Sequence, residues 1–151
     1  MTATVVESKT IDAKGIRTSY LEAGSGEPVL MLHGSGPGVS GTANWQRNIG
    51  PLSQKFRVLA PDIVGFGATE RPEDVVYTLR TWTDHVWSFL DAMGIGRAAI
   101  VGNSLGGRIA LQMATDHPER ISRMVLMGSP GVGMTPTEGL AALRAYEPSH
   151  E

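Results

Sequence analysis

The segment Ala98 to Gly107, Ala-Ala-Ile-Val-Gly-Asn-Ser-Leu-Gly-Gly, restricts this chain more than any other. Its first four residues are a short apolar run of the kind that makes a buried strand. Gly102-Asn103-Ser104-Leu105-Gly106 follows directly, and an apolar stripe at helical spacing (Leu105, Ile109, Met113) begins inside it. A strand that turns sharply into a helix at a serine is the context in which G-x-S-x-G carries chemistry. Such a turn holds the serine in a strained backbone conformation with its hydroxyl above the sheet. Positions two before and two after the serine then approach closely, so both must lack a side chain, as Gly102 and Gly106 do. The helix behind adds unpaired N–H groups and the positive end of its dipole, both of which favour a developing oxyanion. Ser104 is therefore the candidate nucleophile of a hydrolase.

The rest of the chain supplies a frame for that turn. Short alternating segments over Lys9–Ala13 and Ile16–Ala23 predict a two-stranded antiparallel entry, closed by the turn cluster Gly24 to Pro28. Val29–Leu32 reads as a strand covered on both faces and runs into a glycine-rich loop, His33 to Gly38. A helix is expected over Thr42–Lys55, with Trp45, Ile49 and Leu52 on one face and Pro51 as an interruption. Phe56–Ala60 is the next strand and Pro61–Gly67 its loop. A second helix is predicted over Thr78–Met93 with Gly94 as its stop; a start one turn later would make Thr81 and Asp84 a capping box. The helix over Leu105–Thr115 should end before Pro118. Ile121–Met127 is another strand, 128–133 a loop, and 135–146 the start of one more helix. From Val29 onward strands and helices alternate, which implies an α/β fold with a mostly parallel sheet and helices on both faces.

At 151 residues, 41% apolar and 19% charged, the chain suits one soluble globular domain. A net charge of −2 offers no basic stripe for nucleic acid. Cysteine is absent, which excludes disulfides and thiolate metal sites. The N-terminus lacks a basic region followed by an apolar core, and no run has the length of a bilayer span. A cytoplasmic protein acting on a small molecule, without metal or other cofactor, is the expectation.

Few other residues offer chemistry. An oxyanion hole needs a second N–H from a neighbouring loop, and glycines on either side of Ser35 let its backbone face a substrate; the N–H groups of Ser35 and Leu105 are the natural pair. A phosphate-cradling loop would need a following Gly-Lys-Ser/Thr, which is missing. His33 at a strand end is expected to brace backbone groups, His85 to be solvated or bonded to a partner off the apolar face, and His117 to cap a helix end. His150 has nothing to fix it. Asp62 should bond local amides in an Asx-type role. Asp84, Asp91, Asp116 and Glu119 read as solvated charges, and Trp82 and Trp87 as core or helix-flank residues. No cluster of His and carboxylates has metal-ligand character. None of these groups makes a convincing triad base or acid.

Taken together, His33-Gly34-Ser35-Gly36-Pro37-Gly38, Asn44-Trp45, Asp62 to Gly67 and Gly102 to Gly107 resemble the α/β-hydrolase superfamily, and within it the meta-cleavage product hydrolases. The stretch from Met127 to Ser149 is most similar to the 2-hydroxymuconic semialdehyde hydrolase branch. The resemblance implies hydrolysis of a carbon–carbon bond in a ring-fission product of a catechol: ketonisation of the dienol, then addition of water across the bond. It makes Ser104 the nucleophile, Ser35 and Leu105 the oxyanion hole, and Gly34, Asn44 and Asn103 substrate contacts. Asparagine suits that contact because its amide both donates and accepts. Asn44 could equally be a helix N-cap.

Thr42 stands where many family members carry an aromatic, which implies a differently shaped pocket wall. The family's triad acid, triad histidine and carboxylate-binding arginine belong to later segments, and Arg144 matches no such position. The resemblance thus implies the N-terminal part of the core over 1–134 and the start of a helical lid over 135–151. It also implies homo-oligomers for the complete protein. A general carboxylesterase and a non-catalytic binding domain of the same fold are the alternatives.

Overall fold

The computed structural model describes residues 6–130 and Glu138. Six strands, β1 (Glu7–Ala13), β2 (Ile16–Ala23), β3 (Pro28–Leu32), β4 (Arg57–Pro61), β5 (Ala98–Asn103) and β6 (Ile121–Met127), form one sheet in the order β1-β2-β4-β3-β5-β6. The entry pair β1–β2 is antiparallel and joins β4 antiparallel, whereas β4, β3, β5 and β6 are mutually parallel. The expected architecture is the observed one. The expected helix over 135–146 and the lid over 135–151 lie outside the described residues, Glu138 apart.

Helix placement follows from handedness. The chain leaves β3 for β4 on one side, through α1 (Gly41–Ser53), then returns past β3 to β5 through α2 (Leu79–Ala92). Right-handed crossovers in opposite directions must lie on opposite faces, and α3 (Leu105–Asp116), continuing in the second direction, shares the face of α2. The pleat of β3 serves both layers. Val29 and Met31 pack with Trp45 and Ile49 of α1, while Leu30 and Leu32 pack with Phe89 and Leu90 of α2 and Ile109 and Met113 of α3. All four parallel strands therefore end at one edge, where α/β folds place their ligands.

Boundaries differ from expectation for local reasons. Ser40 caps α1 by accepting the Ala43 N–H at 3.0 Å, so the helix begins at Gly41 and Asn44 is not its cap. Pro51 sits in the last turn, where the helix is ending anyway. In α2 the capping box pairs Thr78 with Thr81 rather than Thr81 with Asp84, because the helix starts a turn earlier. Gly94 (φ 68°) stops it as predicted.

Among the described residues β1 and β6 are the outer strands, and β6 exposes Val125, Leu126 and Met127. An apolar strand with an unpaired edge invites pairing with another chain. We expect the 151-residue chain to self-associate on a sizing column, and a Val125→Lys substitution to reduce that association. A stable monomer of the unsubstituted chain would contradict this.

Candidate active site

β5 enters the serine turn with its glycines already committed to close packing. A methyl group on Gly102 would lie 2.6 Å from the Gly106 carbonyl, and one on Gly106 would lie 2.7 Å from the His33 carbonyl oxygen and strike that of Leu32. The two glycines thus answer to different neighbours: Gly102 to the helix start, Gly106 to the end of β3. Between them Ser104 adopts φ 51°, ψ −114°, a conformation L-residues rarely hold. Its N–H donates to the Met127 carbonyl at 2.8 Å, and its own carbonyl accepts from Gly107 (3.0 Å) and Arg108 (3.1 Å). The backbone is held on both sides of the strained residue. The Ser104 hydroxyl makes no hydrogen bond with any described residue.

The loop after β3 lies against this turn. A side chain on Gly34 would touch the Ser104 Cβ at 3.4 Å. The Gly34 N–H donates to Asn44 Oδ1 at 2.9 Å, and Asn103 Nδ2 donates to the same oxygen at 3.3 Å. The sequence-predicted residues Gly34, Asn44, Asn103 and Ser104 are thereby brought together. Two expectations change. Asn44 faces the loop instead of capping α1, and the Gly34 N–H is taken by Asn44, so any contact from Gly34 to a substrate is not through that group. Because Asn44 presents its oxygen inward, its Nδ2 donors and the Asn103 Oδ1 acceptor are left over. The N–H groups of Ser35 and Leu105 donate to no acceptor among the described residues, as an oxyanion hole requires.

Asp62 at the end of β4 plays the expected local role, with wider reach. Its carboxylate is buried and accepts from the Gly41 N–H (2.7 Å) and the Ala68 N–H (2.8 Å), tying the starts of α1 and of the following loop to one side chain. Gly67 (φ 53°) packs directly on that carboxylate, and a side chain there would collide with it.

The described histidines are structural. His33 is fully buried; its Nδ1 lies 2.7 Å from the Gly34 carbonyl, and its Nε2 accepts from the Ile63 N–H at 2.9 Å. Burial holds its pKa below the usual histidine value. His85 takes the bonded of its two expected roles, but it does so buried, with Nε2 2.9 Å from Thr18 Oγ1 and Nδ1 accepting from the Val64 N–H at 3.2 Å. A signal for this was present, since His85 follows Trp82 by three residues and precedes Phe89 by four, the spacing of a shared helix face. His117 pairs with Glu119 at 3.2 Å and lies edge-on to Trp87, without capping through its side chain. Asp116 is not a free charge, being bound by Arg80 at 2.7 Å and by Gln112 at 3.0 Å, which lowers its pKa. Asp91 pairs with Arg120 at 2.8 Å.

Burial pushes the His85 pKa down to about 4. The unfolded chain, with an ordinary histidine near 6.5, binds the extra proton first, so stability is present above that value and is lost as pH falls toward 4. The His85 contribution is about 3 kcal/mol between pH 7 and pH 4. Urea unfolding at a series of pH values checks this: in His85→Asn the drop across that window should shrink by about that amount.

Fold and site together define a class. The family model of the alpha/beta hydrolase fold matches residues 27–150, and the chain belongs to this family. It is 51% identical over 141 residues to the 2-hydroxymuconate semialdehyde hydrolase of Pseudomonas sp. strain CF600, covering 93% of this chain and 50% of that protein. The 2-hydroxy-6-oxo-2,4-heptadienoate hydrolase of Pseudomonas putida F1 is 47% identical over 137 residues, again over 50% of its length. Among solved structures, a mutant of the meta-cleavage product hydrolase from Pseudomonas fluorescens, complexed with acetates, superposes with a TM-score of 0.87 at 50% identity, over 93% of this chain and 52% of that one. The chain spans about half the length of the curated relatives it matches. No helix among the described residues is long and apolar enough to cross a membrane.

Proposed function

We propose that this chain carries the nucleophile half of a serine hydrolase that cleaves a carbon–carbon bond in ring-fission products of the 2-hydroxy-6-oxohexa-2,4-dienoate type. The observation that supports this reading best is the cluster of Gly34, Asn44 and Asn103 at Ser104. Beside the nucleophile it leaves one amide donor and one amide acceptor, which suits an oxygen-rich dienol end that must be held while a proton moves. A simple ester would need only the oxyanion hole.

In this reading the dienol first ketonises. Ser104 serves the carbonyl carbon of the bond to be broken, with the charge on its oxygen met by the N–H groups of Ser35 and Leu105. Water ends as hydroxyl on that carbon, giving a carboxylic acid, and as a proton on the departing carbon, giving 2-hydroxypenta-2,4-dienoate. The base is not His33 or His85, whose two ring nitrogens are both engaged, nor His117, which lies past the far end of the twelve-residue α3 that starts at the nucleophile. A serine without a base is a weak nucleophile at neutral pH, so the acid and base are assigned to the part of the fold that the relatives carry beyond the matched span. The 151 residues alone are expected to give no measurable turnover.

A hybrid tests the assignment. This chain replaces the matching half of the CF600 relative, and the product is assayed on a coloured ring-fission substrate and on aryl esters. Ring-fission turnover well above ester turnover is the expected result. Preference for esters would favour a carboxylesterase, and a folded hybrid inactive on both would overturn the hydrolase reading.

A further inference from the structure

Two buried histidines from different elements hold consecutive backbone N–H groups: His33 takes that of Ile63 and His85 that of Val64. The proton accounting is closed at each ring. Gly34 O can only accept, so His33 carries its proton on Nδ1 and leaves Nε2 bare for Ile63. Val64 donates to His85 Nδ1, so that ring carries its proton on Nε2; Thr18 Oγ1 receives it and passes its own proton to the Ile16 carbonyl at 3.0 Å. Neutral rings of opposite tautomer therefore clamp one dipeptide of the loop after β4.

The clamp extends toward the nucleophile. In a trans peptide the C=O and the following N–H point in opposite directions. By holding Gly34 O, His33 sets the direction of the Ser35 N–H, while Asn44 holds the other side of Gly34. We infer that His85 is a remote positioning residue for the oxyanion hole, acting through Val64–Ile63 and the His33 ring on the Gly34–Ser35 peptide. This rests on the proposed assignment of the Ser35 N–H to that hole. Facing His33 are Asp62, just after β4, and the Phe66 ring in a T-shaped pair with centroids 5.2 Å apart. The groove beside His85 carries Lys14 from the β1–β2 turn, Asp84 and Asp91 from α2, and His117 and Arg120 from the segment after α3.

The test uses the 151-residue chain and NMR. In the unsubstituted chain, ring 15N shifts should report an Nδ1–H tautomer for His33 and an Nε2–H tautomer for His85. His85→Leu should raise hydrogen exchange at Val64 and Ile63 at least tenfold and move the Ser35 amide resonance. His85→Asn, whose Oδ1 takes the place of Nδ1, should restore slow exchange at Val64 and the Ser35 shift, whereas His85→Gln should not. Should His85→Leu fail to fold, Thr18→Val, which removes only the acceptor of the Nε2 proton, is expected to change the same three amides in the same direction. The inference is overturned if the tautomers are the reverse, or if Val64 loosens in the variants while Ile63 and Ser35 stay unchanged. Turnover is not the readout, so this result and that of the hybrid can fail independently.

Discussion

Replacing Ser104 with alanine in the hybrid enzyme is expected to lower turnover of the ring-fission substrate by at least about a thousandfold. The stability of the protein should scarcely change. These two outcomes come from the same geometry. The hydroxyl has no hydrogen bond to a described residue, so its removal leaves no donor or acceptor among them without a partner. What the turn invests in Ser104 is backbone strain, at φ 51° and ψ −114°, which alanine keeps. Glycine removes it. Ser104→Gly should therefore raise unfolding free energy by about 1 kcal/mol while abolishing turnover equally. A catalytic position that becomes more stable on losing its function would mark the strain as functional. If Ser104→Gly destabilises the fold, or if Ser104→Ala retains turnover, Ser104 is not the strained nucleophile described.

The second large effect is on folding. Gly106→Ala is expected to cost about 3 kcal/mol or more, because the added methyl group meets the backbone carbonyls of Leu32 and His33. A side chain could rotate away; the end of a central strand cannot move without disturbing its ladders to β4 and β5. Gly50→Ala provides the control. That glycine lies inside α1 with open space where its Cβ would be apart from the following Pro51, whose ring disfavours helical geometry for a residue that has a Cβ, so the gain in helix propensity is offset and stability should change by less than about 1 kcal/mol. The urea midpoint of Gly106→Ala should fall well below that of Gly50→Ala. Equal, small shifts for both would mean that the elbow has more room than the geometry allows.

Much of this was legible in the sequence. The apolar runs Val29–Leu32 and Ala98–Val101, each followed by a glycine-rich turn, gave strands and loop starts at the right places, because buried parallel strands need unbroken apolar runs and sharp turns need glycine. The elbow was equally plain, although only Gly102 answers to the residue four positions on; Gly106 answers to the end of β3, a neighbour in space. Cap assignment was less secure. Ser40, not Asn44, caps α1, and the choice depends on where Gly41 is pinned by Asp62, a residue twenty-one positions away.

His85 shows the same limit more sharply. Its place on a helix was predictable, yet its burial depends on which strand and loop pack over that turn, and Thr18 and Val64 come from distant segments. Local spacing determined by itself that the chain is α/β and that Ser104 sits on a strained strand-to-helix turn. Only the tertiary structure decided that Asn44 turns its oxygen to Gly34 and Asn103, and that two neutral imidazoles hold adjacent amides of one loop. The physical reason is that backbone conformation follows from neighbours along the chain, whereas hydrogen-bond partners of buried side chains follow from neighbours in space.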